Sequence, residues 1–119
     1  MTRPSNILNW RDVKNPDSEP YPGSDEPLGI TARLSAELGV FRFSASHELL
    51  PPGRRTSYPH AEYSEEEFLY VIEGTPDLWQ DGHLHRLGPG DAVGWPSGTG
   101  IAHTIINNTD SDVRMLVVG

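Results

Sequence analysis

Gly53-Arg-Arg-Thr-Ser-Tyr-Pro-His60-Ala-Glu62-Tyr-Ser-Glu-Glu-Glu67 and, further on, Gly90-Asp-Ala-Val-Gly-Trp-Pro-Ser-Gly-Thr-Gly-Ile-Ala-His103-Thr-Ile-Ile-Asn107 carry most of what this chain reveals about itself. Both stretches set imidazole or carboxylate side chains on short strand-like runs edged by glycine. Those are groups that divalent iron, manganese, nickel and zinc accept as ligands. His60 and Glu62 are two apart, so on a strand they share a face. Glu67 opens the next run, and the residues between are able to turn the chain back toward them. His103 starts a later run beyond a glycine-rich loop. A closed barrel can make these segments neighbours, which would place His60, Glu62, Glu67 and His103 around one ion with one or two positions open.

Outward from these blocks, the pattern is that of short strands. From Val40 the period is two, with Phe41, Phe43, Ala45, His47 and Leu49 on one face and Arg42, Ser44, Ser46 and Glu48 on the other. Further strands are expected at 57–63, 67–73, 77–80, 83–87, 92–95, 103–107 and 113–118. Asp81-Gly82 is the strongest hairpin signal in the chain. About eight strands with frequent turns imply an all-β sandwich or barrel over residues 40–119. Residues 1–39 read differently. Five of the eleven prolines fall within residues 1–27, so this part is expected to be an extended arm. Thr31–Leu38 would make one or two helical turns, stopped by Gly39. Ile7, Leu8, Trp10 and Val13 are too apolar for a solvated tail, so the arm should dock on the barrel or on a second subunit.

Bulk properties bound the function. At 119 residues the chain makes one domain. A net charge of −8 argues against a nucleic-acid partner, which needs a basic surface. No apolar run approaches the length of a membrane span, and the N-terminus lacks the apolar core of a secretory signal. With no cysteine, disulfides and thiolate metal sites are excluded. A cytoplasmic protein is the expectation.

The two blocks together resemble the cupins. That family shows a first motif G-x5-HxH-x3–4-E-x6-G and a second motif G-x5-PxG-x2-H-x3-N. Gly53, His60, Glu62, Glu67 and Gly74 match the first, and Gly90, Pro96, Gly98, His103 and Asn107 the second. The 90–103 stretch is similar to a subfamily of bacterial single-domain cupins without an assigned reaction. Three departures stand out: six residues rather than five precede His60, four rather than two separate Gly98 from His103, and Glu62 replaces a histidine. The resemblance implies a double-stranded β-helix, or jelly roll. It also implies one divalent metal (Mn, Fe, Ni or Zn) on His60, Glu67 and His103, with Glu62 as a substituted fourth ligand. A carboxylate in place of imidazole hardens the site and favours manganese or iron.

Other residues invite weaker readings. His47, Trp79 and Trp95 are candidates to line a substrate pocket, against the plainer reading of core residues. His83 and His85 imitate a ligand pair but directly follow a hairpin turn, so they are expected to be exposed. Glu65 and Glu66 read as solvated loop charges, and Arg54 and Arg55 as an exposed turn. Small cupins usually pair, so a homodimer is expected. Function divides between a metal-dependent isomerase, dioxygenase or lyase acting on a small polar molecule and a metal-free module that only binds or senses one. A storage protein with a spent site is the third reading.

Overall fold

The computed structural model describes residues 3–14, 20–61 and 64–119. Its elements in order are α1 (Trp10–Val13), β1 (Ile30–Ala32), α2 (Leu34–Glu37), β2 (Ala45–Leu50), β3 (Glu67–Glu73), β4 (Asp77–Gln80), β5 (His83–Arg86), β6 (Ala92–Trp95), β7 (His103–Ile106) and β8 (Val113–Val118). Two antiparallel sheets form, one ordered β1-β2-β8-β3-β6 and the other β5-β4-β7. This is the expected all-β jelly roll. Among the described residues no helix is long and apolar enough to cross a membrane.

Alternation builds the core. Leu69 and Val71 of β3 and Val113 and Met115 of β8 point between the sheets and meet Leu50, Leu78, Trp95 and Ile105. Each fully buried side chain of this kind contributes roughly 1.5–3 kcal/mol. The intervening residues of β3, Phe68, Tyr70 and Ile72, face out and stay about two-fifths exposed. The Asp81-Gly82 hairpin forms as expected, with both residues at positive φ, the backbone of a type I′ turn. Gly74 combines a φ of +87° with a backbone so close that an added Cβ would lie 2.8 Å from the Asp112 carbonyl oxygen.

Three expectations need correction. The regular strand begins at Ala45 rather than Val40, and Phe41 and Phe43 are 79% and 54% exposed. Within β2 the inward face is the polar one: Glu48 pairs with Met115 and Thr31, whereas His47 pairs with Leu116 and Ala32 on the outside. Period two identifies two faces, but a barrel with a polar lumen reverses the usual assignment. The strand expected at 57–63 is not regular over its described part and makes only the isolated bridge of His60 to His103, with Arg55 bridging Ile106 just before it. Pro59 has no N–H to donate, and side chains supplement the few backbone bonds to β7: Thr56 Oγ1 accepts from the Ile105 amide, and Thr104 Oγ1 donates to the Ser57 carbonyl.

The N-terminal segment docks on its own barrel. Trp10 stacks on His47, Tyr21 packs its ring on Tyr58, and Glu26 forms a two-pronged pair with Arg55. Part of this stretch joins the sheet itself, since Ile30–Ala32 pairs with β2 and Lys14 bridges to Ala32.

Candidate metal centre

Three of the four expected ligands converge. The start of β3 supplies Glu67, the start of β7 supplies His103, and the irregular segment bridged to β7 supplies His60. One ligand atom from each lies within 4.8 Å of the others. Glu67 spans the pair, with one carboxylate oxygen 3.2 Å from His60 Nε2 and the other 2.8 Å from His103 Nε2. Glu62 lies outside the described residues.

Hydrogen bonding on the far side of each ring sets the chemistry. His103 Nδ1 sits 2.9 Å from the Ile101 carbonyl oxygen, which only accepts, so Nδ1 carries a proton. His60 Nδ1 stands in the same relation to the Tyr58 carbonyl, at 3.2 Å, with Ser57 Oγ beside it. In the neutral tautomers this leaves both Nε2 lone pairs aimed at the Glu67 carboxylate, acceptor against acceptor. Such an arrangement calls for positive charge between them, a second proton on the rings or a metal ion. The backbone partners that fix the tautomers are the outer supports usual for metal-bound histidines. The donor set of two imidazoles and a carboxylate therefore fits a divalent ion.

Above the cluster is a cavity of about 320 Å³ whose lining includes Glu48, Thr56, Ser57, Trp95 and Thr104 as well as His60, Glu67 and His103. Trp95 borders it and stacks on His103, with ring centroids 3.8 Å apart. Trp79 does not line it, although its register partner Thr104 does. His47 is also elsewhere, on the outer face, buried between Trp10 and Arg114. Arg114 only donates, so His47 Nε2 accepts from it and Nδ1 holds the proton, without a hydrogen-bond partner among the described residues. Burial first, and then the charges of Arg114 and Arg11, push the His47 pKa down to about 4. His83 and His85 are exposed on the edge strand β5, and Glu65 and Glu66 are exposed too.

Asn107 is structural. Its amide donates to the carbonyls of Leu50 and Ser111, and its Oδ1 accepts from the amide and hydroxyl of Thr109. Fully buried, it fastens the end of β2 to the β7–β8 turn. Glu48 went unremarked in the sequence because its polar neighbours Ser44 and Ser46 made that face look solvated.

A family model described as a cupin domain matches residues 46–119, well over half of the chain. The chain belongs to the cupin family. Solved structures agree on the fold. A cupin-superfamily sugar phosphate isomerase from Silicibacter pomeroyi is 32% identical with a TM-score of 0.74, covering 76% of this chain. The cupin spans 57% of that protein's length. A candidate sugar phosphate isomerase from Acidithiobacillus ferrooxidans has a TM-score of 0.83 at 22% identity, covering 96% of this cupin and 74% of its own length. The polyketide cyclase RemF from Streptomyces resistomycificus is 26% identical with a TM-score of 0.71, covering 99% of this cupin and 78% of its own length. A search of curated proteins found no match.

Proposed function

We propose that this cupin holds one divalent ion (manganese, iron, nickel or zinc) on His60, Glu67 and His103 and uses it to convert a small hydroxylated carbonyl compound. Glu62, at its motif position, is proposed as a fourth ligand. The observation that carries the reading is the convergence of two imidazoles, each held in one tautomer by a backbone carbonyl, on a single carboxylate. A bound ion would supply Lewis-acid polarisation of a carbonyl oxygen. The cavity is large enough for one small molecule, and the hydroxyls of Thr56, Ser57 and Thr104 would orient it. The activity named for the S. pomeroyi relative supports an isomerisation over the oxidative and lyase alternatives.

The test is metal content per subunit, measured on protein purified without chelator. Near-stoichiometric metal that disappears in His103→Ala and Glu67→Gln is the expected result. Wild-type protein that holds little metal and refuses more would overturn the reading and favour a metal-free binding module.

We further infer a cytoplasmic homodimer that pairs through the outer face of the larger sheet. Phe68, Tyr70 and Ile72 sit exposed there, and the exposed Phe43 lines one cavity with Phe68. Light scattering should give twice the 13.2 kDa chain mass, falling to the monomer in Phe68→Ser/Tyr70→Ser.

A further inference from the structure

The cavity above the cluster has a second carboxylate, one that no metal-ligand motif includes. Glu48 projects inward from β2, is only 8% exposed, and lines the same cavity as His60, Glu67 and His103. Thr31 of β1 donates its hydroxyl to one carboxylate oxygen at 2.8 Å. Gly29 leaves room for the group, because a Cβ at that position would overlap the Glu48 carboxylate. Among the described residues, no cation pairs with it.

We propose that Glu48 is the acid–base group of this cavity, moving a proton to and from a substrate carbon adjacent to a carbonyl. The proposal deepens the metal-dependent reading and rests on it. Its geometry has two sides. Toward the lumen lie His60, Glu67 and His103. On the other side a cavity of about 340 Å³, lined by Arg33, Ser44 and Ser46, meets the first at Thr31, Glu48 and Val117. The charged groups around Glu48 are therefore Arg33 on one side and the ligand cluster on the other; β8 presents only Met115 and Val117.

Burial pushes the Glu48 pKa up to about 6, with the Thr31 hydrogen bond opposing the shift. A carboxyl group in that range both accepts and returns protons near neutral pH, whereas an ordinary glutamate is too weak a base. The chemistry balances without another reactant. The Glu48 carboxylate takes the proton from the carbon bearing a hydroxyl beside the carbonyl. The C–H electron pair becomes a carbon–carbon double bond, and the carbonyl pair moves onto its oxygen. Delivery of the same proton to the former carbonyl carbon, with a hydroxyl proton shifting between the two oxygens, interconverts a hydroxy ketone and a hydroxy aldehyde.

A purely structural Glu48 would serve only to accept from Thr31, a task that glutamine also performs. The test compares wild type, Glu48→Gln and Gly29→Ala by two readouts, with metal content measured on the same samples. The first is a carbon-13 NMR titration of glutamate side-chain carboxyls. One is expected to titrate near pH 6 in wild type and to vanish in Glu48→Gln. The second is deuterium exchange at the carbon-bound protons of dihydroxyacetone. Metal-loaded wild type should accelerate it over the same metal in buffer, and both variants should lose at least tenfold with metal content and fold retained. Glu48→Gln exchanging like wild type, no Glu48 titration above the ordinary range, or metal-loaded wild type without exchange would each overturn the proposal. Wild type that takes up no metal overturns the metal reading, and this proposal with it.

Discussion

The indole of Trp95 lies flat on the imidazole of His103, its plane 8° from parallel, while its N–H donates to Gln80 Oε1 at 2.8 Å. Gln80 is itself the register partner of His103 across β4 and β7. The β4–β7 pair thus carries His103 and, through Gln80, fixes the β6 ring that lies against it. Stacking removes rotational freedom from His103, so less ordering remains to be done when an ion binds.

Trp95→Ala should therefore weaken metal binding about 10–100-fold, as loss of an outer support does. Trp95→Phe, which keeps a stacking ring but loses the hydrogen bond, should lie between Trp95→Ala and wild type. A competition titration against a chromophoric chelator measures both.

Glu48 should make the fold less stable as pH rises. The folded protein keeps its proton up to about pH 6, whereas the unfolded chain releases it near 4.5. Between those values the folded state binds more protons, so this group's stability is intact below 4.5 and lost by pH 6. Glu48→Gln should then gain up to about 2 kcal/mol over wild type at pH 7 and little at pH 4. Urea unfolding at the two pH values is the measurement. A residue whose removal stabilises the protein fits a functional role.

His47 acts in the opposite direction. Its folded pKa of about 4 lies below the unfolded value of 6.5, so the unfolded state binds the extra proton between them. Stability from this site is present above pH 6.5 and lost as pH falls toward 4. His47→Gln should flatten that part of the stability curve by as much as one proton in slope. Thermal melts across pH 4–7 would show it, along with earlier release of Trp10 fluorescence quenching in wild type as acid is added.

Asn107→Ala should cost roughly 1–3 kcal/mol, because it leaves the buried Leu50 carbonyl without its amide donor, whereas the exposed Ser111 carbonyl keeps the Thr109 hydroxyl. Chemical unfolding should show the loss, while any metal retained per folded molecule stays near the wild-type value. Asn107→Asp should do no better, since a carboxylate cannot donate to those carbonyls.

Motif spacing made His60, Glu67 and His103 legible as candidate ligands because the motif is written in short local offsets: Glu67 and His103 at strand starts, His60 shortly before Glu67, glycines at turns. The strands at 67–73, 77–80, 92–95 and 113–118 were legible for the same reason, each carrying its own alternation and its own turn signal. The Asp81-Gly82 hairpin needed nothing but its two central residues. Local chemistry of this kind is written in consecutive positions.

Which side of β2 looks inward is written nowhere locally. His47 and Glu48 are adjacent, and alternation alone separates them without ranking them. Only the pairing of β2 with β8 sends Glu48 toward Met115 and the lumen, and only the docking of Trp10 closes the outside over His47. Gly29 beneath a carboxylate nineteen positions later, and Trp95 beneath a histidine eight positions later, are likewise products of packing. Sequence determined most of the strands, their turns and the ligand-type residues, because those depend on neighbours along the chain. Tertiary structure alone decided which polar groups lose their water, because burial depends on what the rest of the chain brings against them.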